Sequence, residues 1–422
     1  QGLYVQGYRG KTLVISAWES GDDLYLTATC SGQSVTQLVP RYARGYKKFN
    51  WAALADKVIG CNGGQVIEFD TKSFTFSVVV FSTLNALESM SSSYLLDGPR
   101  AAGCVSYQGC MVYYGLEDAQ LEVSAAVSYE QLDDPSVLVE VGGRLTYKKS
   151  QFLWSDPYRP DAVQAVFFRT VDDYDAVIQK CVSVGSGENA GLLIVCNRGL
   201  YLMQGYDAQT RVMTNISRSV GCPAPDTVRE YMGVVYFMGQ DGFYKWSMQE
   251  GLSKIGNFER LWLRQGDFFG SINWYPEDTA YACIGSAFPY YVVSCPSEET
   301  LLYIDLATGT YGIHFPQEFP DTMVNLGLTG LISQNVDIIS GNYTGLYNFD
   351  WDGAENGAGT CRWSVFGPFD LGGAPLILNQ ILVKANETGG VLEFAVCSGE
   401  FPGNIIQEST LDLQQVHNGA FS

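Results

Sequence analysis

The apolar residues of this chain fall in short runs rather than at helical spacing. Ser77–Phe81, Leu192–Cys196, Val234–Met238 and Tyr290–Ser294 are rich in Val, Ile, Tyr and Phe, and each is bounded by Gly, Asn, Asp or Pro. Branched and aromatic side chains suit a pleated, half-buried surface, and the flanking residues tolerate tight turns, so each run predicts a β-strand. Three further runs, Arg362–Gly367, Gln380–Ala385 and Val391–Cys397, predict strands near the C-terminal end. Helical periodicity is confined to residues 258–268, where Phe258, Leu261, Trp262 and Gln265 fall three or four apart.

Aligning the turn signals exposes a degenerate repeat. The stretches beginning at Ile59, Ile194, Tyr236 and Ile339 each read as strand, glycine turn and apolar-aromatic strand, with turns at Gly63 and Gly64, at Gly199, at Asp241 and Gly242, and at Gly345. A turn glycine can take positive φ, which a tight hairpin requires. Gly199 and Gly242 are 43 residues apart, and Gly64 and Gly199 are 135 apart, which reads as three steps of 45; Gly242 to Gly345 is 103 and fits no whole number of steps. All-β repeats of about 40–50 residues have the period of propeller blades. The expected architecture is therefore an all-β protein: a β-propeller of about six to eight four-stranded blades over residues 1–360, with 361–422 forming a last blade or a small β-sandwich.

Composition narrows the function. Apolar residues make up 46% of the 422 and charged residues 17%, against about 25% charged in an average protein. Such a chain can bury a large core, and its charge-poor surface predicts extensive contacts with other subunits. Twenty-five basic against 45 acidic residues give a net charge of −20, which argues against binding the phosphate backbone of nucleic acid. From Pro296 onward there are fifteen acids and two bases, Arg362 and Lys384. The one dense basic cluster, Arg41, Arg44, Lys47 and Lys48, is interleaved with Tyr42, Tyr46 and Phe49 and reads as a loop edge suited to subunit contact. Eleven scattered cysteines without a C-x-x-C pair predict buried thiols rather than a disulfide framework or zinc site. No apolar run approaches the length of a membrane span.

Chemistry-bearing motifs are sparse. There are two histidines, His314 among aromatics and His417 near the end, and no nucleophile elbow, phosphate loop or dinucleotide fingerprint. Carboxylates remain a catalytic resource, since two suffice for glycoside hydrolysis; Asp172, Asp173 and Asp175 cluster, as do Glu117 and Asp118. Asp350 and Asp352 have the flavour of a calcium loop but lack its third acid and closing Glu. The expectation is a protein without catalytic role, cofactor or metal. The alternatives are a propeller glycan hydrolase with paired carboxylates in its channel, and a monomeric propeller that binds a protein.

Several segments, in order, carry a resemblance. Phe152-Leu-Trp154-Ser155-Asp156-Pro157 is followed by Pro160 and Asp161; Gly191 to Gly205 holds a strand, a turn and the pair Tyr201-Leu202; Val220-Gly221-Cys222-Pro223-Ala224-Pro225 leads to the strand before Asp241-Gly242-Phe243-Tyr244. Together these resemble the tail nozzle or tail hub propellers of short-tailed bacteriophages, over about residues 150–270. The resemblance implies a homo-oligomeric ring, commonly sixfold, below the portal and adaptor of a virion tail, made in the host bacterial cytoplasm. It further implies docking surfaces for fibres or spikes, a needle or plug, and DNA passing through the lumen without specific binding. The acid-rich C-terminal third is expected to face that lumen, where it would repel phosphates and avoid stalling them.

Overall fold

A computed structural model describes residues 2–81, 93–125 and 139–256, apart from short gaps at 9–10, 21, 96–97, 118, 172–175 and 206–209. From 281 to 421 it describes the strands together with 306, 307 and 309. The predicted helix at 258–268 lies outside these residues, as do Asp350, Asp352, His417 and most acids beyond Pro296.

The protein is all-β and propeller-like. Blade 1 comprises β1 (Gly2–Tyr8), β2 (Lys11–Ser20), β3 (Asp23–Cys30) and β4 (Gln33–Leu38); blade 2 comprises β5 (Asn50–Leu54), β6 (Lys57–Cys61), β7 (Ile67–Asp70) and β8 (Thr75–Val78). Blade 3 is larger. Its strands β10 (Ala101–Tyr107), β11 (Cys110–Leu116), β14 (Gln151–Asp156) and β15 (Arg159–Thr170) are extended outward by β9 (Ser93–Leu95), β12 (Ala119–Ala125) and β13 (Val139–Leu145). Blade 4 holds β16 (Ile178–Val184), β17 (Gly191–Cys196), β18 (Gly199–Gln204) and β19 (Val212–Ser217). Blade 5 holds β20 (Arg229–Tyr231), β21 (Val234–Met238), β22 (Phe243–Ser247) and β23 (Gly251–Lys254).

Blade 6 follows with β24 (Tyr281–Ile284), β25 (Tyr290–Cys295), β26 (Thr300–Asp305) and β27 (Tyr311–His314), edged by β31 (Arg362–Ser364). Blade 7 has β28 (Thr322–Asn325), β29 (Ile338–Asn342) and β30 (Gly345–Phe349). The first strands of successive blades touch one another in turn, and β28 touches β1, so seven sheets close a ring. A second unit, residues 257–275 and 364–422, contains the pairs β32 (Ile381–Leu382) with β35 (Ala420–Phe421) and β33 (Val391–Ser398) with β34 (Asn404–Asp412).

The core lies between blades. Leu13, Ile15 and Ala17 of blade 1 meet Val58, Phe69 and Phe76 of blade 2. Cys61 and Ile59 of blade 2 meet Cys104, Met111 and Tyr113 of blade 3; Val112 and Trp154 meet Cys181, Leu192 and Ile194 of blade 4. Strands pressed on both faces cannot alternate, so β11 and β17 are buried at every position, whereas β2 alternates along its middle. Cys30, Cys61, Cys104, Cys110, Cys181, Cys196 and Cys222 are free and buried, as the sequence predicts.

The four repeats of the sequence occupy one structural place: β6–β7, β17–β18, β21–β22 and β29–β30, the second and third strands of blades 2, 4, 5 and 7. The reading of 135 residues as three steps is corrected here. Gly64 and Gly199 are two blades apart, and β9, β12 and β13 supply the excess length. The 103-residue interval likewise spans two blades, and its sequence includes residues 257–275, which belong to the second unit.

Candidate functional site: a basic, tyrosine-bearing rim

Residues 39–49 cross from blade 1 to blade 2 along one rim of the ring. Pro40 opens a single 3-10 turn, Arg41–Ala43, whose Ala43 is fully buried and anchors the connector. The blade 2 hairpin turn clamps it from beneath. Lys47 N donates to Asn62 O at 3.1 Å, Gln65 N donates to Ala43 O at 3.0 Å, and Asn62 Oδ1 accepts from Gly64 N at 3.2 Å. Gly63, with φ of 85°, passes its N–H on to Ala101 O of blade 3 at 2.8 Å. The approach is so close that a Cβ on Gly45 would stand 2.2 Å from Asn62 O. The turn glycines and the basic cluster, unrelated in the sequence reading, are thus one structural element.

The clamp displays what lies between its anchors. Tyr42 and Tyr46 are 72% and 69% exposed, a level at which large aromatic rings face solvent outright. Arg41 and Arg44 turn back onto blade 1, pairing with Asp23 at 3.7 Å and Glu19 at 2.7 Å. Lys47 points the other way, its Nζ 5.8 Å from the Tyr46 ring centre. Tyr46 donates its hydroxyl hydrogen bond to Glu117, the residue that follows β11, and this bond, helped by burial, pushes its phenol up to about 12. Burial lowers the Lys47 pKa and the nearby Lys149 lowers it further, with Glu117 opposing. Lys149, exposed at the approach to β14, acts on Lys47, so blade 3 adds a cation that the sequence does not join to the cluster.

The other predicted residues have structural duties. Gly199 and Gly242 take φ of 142° and 152° at their hairpins. Asp241 accepts from Tyr244 Oη at 2.6 Å and pairs with Lys254 at 2.7 Å, closing the blade 5 turn. Gly345 opens β30. Ser155 Oγ accepts from Met111 N at 3.0 Å and donates to Asp156 O at 2.8 Å, which sets Trp154 into the blade 3–blade 4 core.

A second polar group sits on the innermost strands and was not singled out in the sequence. With the Asn50 amide nitrogen donating to Cys104 O at 2.8 Å and to Tyr114 Oη at 3.3 Å, its oxygen accepts from Lys180 Nζ. Burial lowers the Lys180 pKa, while Asp226 opposes that and Arg229 adds to it. Gly103 permits the arrangement, because a Cβ there would stand 2.3 Å from the Tyr114 hydroxyl. Among the described residues no group of three or more His, Cys, Asp or Glu could hold a metal ion, and no helix is long and apolar enough to cross a membrane.

No family model matches the chain. No curated protein matches it either. Among solved structures it resembles BBS1N in complex with ARL6DN, at 8% identity and a TM-score of 0.42 over 82% of this chain and 89% of that one. It also resembles the dihydro-heme d1 dehydrogenase NirN, at 9% identity and 0.42 over 83% and 73%. Porphyromonas gingivalis dipeptidyl peptidase 4 follows, at 10% and 0.36 over 81% and 50%. Likenesses of this grade, to enzymes and non-enzymes alike, carry no functional information.

Proposed function

We propose that this chain is a structural protein that assembles with copies of itself into a ring, with the basic, tyrosine-bearing rim as one side of the subunit contact. The rim is the observation that carries the reading. Arg41, Arg44, Lys47, Lys48 and Lys149 collect beside two exposed tyrosines on a chain whose net charge is −20. A cationic patch on an otherwise acidic molecule is complementary to the rest of a second copy, and tyrosine supplies large contact area at small entropic cost. Two unlike patches meeting head to tail generate a closed ring when the rotation closes. Propeller edges are short and protected, so such contacts need not propagate by strand pairing.

The setting proposed for this ring is the nozzle or hub of a short-tailed phage, on the strength of the ordered motifs from Trp154 to Tyr244 that resemble that family. The hydrolase reading draws less support. It calls for at least two acids converging in the channel, and the seven innermost strands together contain one, Glu230.

Native mass spectrometry of the full chain tests the proposal. A closed oligomer that Lys47→Glu with Lys149→Glu converts to monomer, and that loosens as salt rises, is the expected result. A wild-type chain that stays monomeric at tens of micromolar, or a double variant that assembles as the wild type does, would overturn it.

A further inference from the structure

On the rim opposite the 39–49 connector, between blades 3 and 4, a buried cation has no described acid within ion-pair distance. Arg211, just ahead of β19, is 9% exposed. Its guanidinium carbon lies 4.6 Å from the centre of the Trp154 ring and 5.8 Å from that of Tyr107. Nη2 reaches Cys110 Sγ only at 4.0 Å, and neither Nε nor Nη1 has any hydrogen-bond acceptor. None of the ion pairs among the described residues includes it. Burial pushes the Cys110 thiol up against the pull of Arg211, and the charge of Asp156 raises it further, so the sulfur stays neutral and does not cancel the charge. In the same turn between β10 and β11, Gln108 Oε1 is also buried without a partner.

A guanidinium cannot shed its proton. Aromatic faces steady it through their quadrupoles, yet they accept none of its in-plane N–H bonds. Buried charge in this condition is costly unless something brings an opposite charge and acceptor oxygens to it. We propose that Arg211, seated on Trp154 and Tyr107, is a binding site for a small oxyanion, a carboxylate or a phosphate group. The planar fork of arginine matches both in geometry. Trp154 belongs to the Trp-Ser-Asp-Pro motif, and the hydrogen bonds of Ser155 hold that strand so that the indole faces the guanidinium. The site lies away from the basic rim and does not depend on the assembly reading.

Isothermal titration of the full chain with inorganic phosphate, and separately with acetate, against sodium chloride at equal ionic strength tests the site. One saturable event per chain is expected for at least one of the two anions, and which anion binds tells phosphate from carboxylate chemistry. Arg211→Met should weaken it about tenfold or more, the loss of a charge-assisted hydrogen bond. The same anion should raise the melting temperature of the wild type and not that of Arg211→Met. Should that variant fail to fold, Trp154→Phe keeps an aromatic core residue and should weaken binding while leaving one site. Neither anion binding beyond chloride, or undiminished binding by the variants, would overturn the proposal.

Discussion

Replacing Gly45 by alanine probes the clamp beneath the basic rim. The new Cβ would stand 2.2 Å from Asn62 O and 2.4 Å from Gly64 N, both backbone atoms, where real Cβ contacts stay beyond 3.0 Å. The connector must therefore rise by most of an ångström. That stretches Lys47 N to Asn62 O, now 3.1 Å, and Gln65 N to Ala43 O, now 3.0 Å, past useful hydrogen-bonding length. Each bond is worth about 1 kcal/mol, and overpacking at a site that cannot yield costs about 1–3 kcal/mol, giving a loss of roughly 3–5 kcal/mol. Urea unfolding followed by tryptophan fluorescence should show a lower midpoint at unchanged slope. Lifting the connector also draws Tyr46 away from Glu117, so its phenol, now held up at about 12, should titrate closer to the ordinary value of about 10. A stability loss under about 1 kcal/mol, within the range of an ordinary surface substitution, would refute the clamp.

Two further outcomes follow from buried and turn hydrogen bonds. Thr227 Oγ1 donates to Ala224 O at 2.6 Å and accepts from Met238 N at 3.1 Å, both in the interior, so Thr227→Val should cost roughly 2–4 kcal/mol in the same unfolding assay. Asp70 accepts backbone N–H bonds from Ser73 at 3.0 Å and Lys72 at 2.7 Å, and these, with the charges of Lys57 and Lys72, hold its carboxyl below the usual range against the opposing effect of burial. A depressed folded pKa stabilises above the unfolded value and loses that contribution as pH falls through the folded one. Asp70→Asn should therefore be about 1 kcal/mol less stable than wild type at pH 7, and unfolding curves for the two should converge in acid.

Much of the propeller was legible because its physics is local. The run Leu192–Cys196 is apolar throughout because two neighbouring blades cover both its faces, and Val234–Met238 matches β21 residue for residue. The turn glycines at 199 and 242 were readable because their conformations suit few other residues. Blade spacing was not, since the strands added to blade 3 lengthen the chain without adding a blade. The rim was half legible. Arg41 to Lys48 cluster in sequence, but Glu117 and Lys149 reach them only through the closure of blades 2 and 3, at separations no local pattern encodes. Arg211 carries no sequence signal, because an arginine before a strand is ordinary until Trp154 and Tyr107 enclose it.

Each of blades 1, 2, 4 and 5 is woven from one unbroken length of chain; among the described residues blade 1 lends no strand to blade 7, and β1 lies beside β28. The hoop is therefore closed by adhesion rather than by a hook. As between blades 2 to 5, which share continuous apolar interfaces but no strand, the junction of first and last blades has no common sheet to tear. β11 and β17, buried at every position, should hold their amides longest, and those of β1, where Tyr4 and Gln6 are half-buried, should exchange ahead of them. A ring of neighbours gripping blade 1 through its rim would then act as the missing clasp.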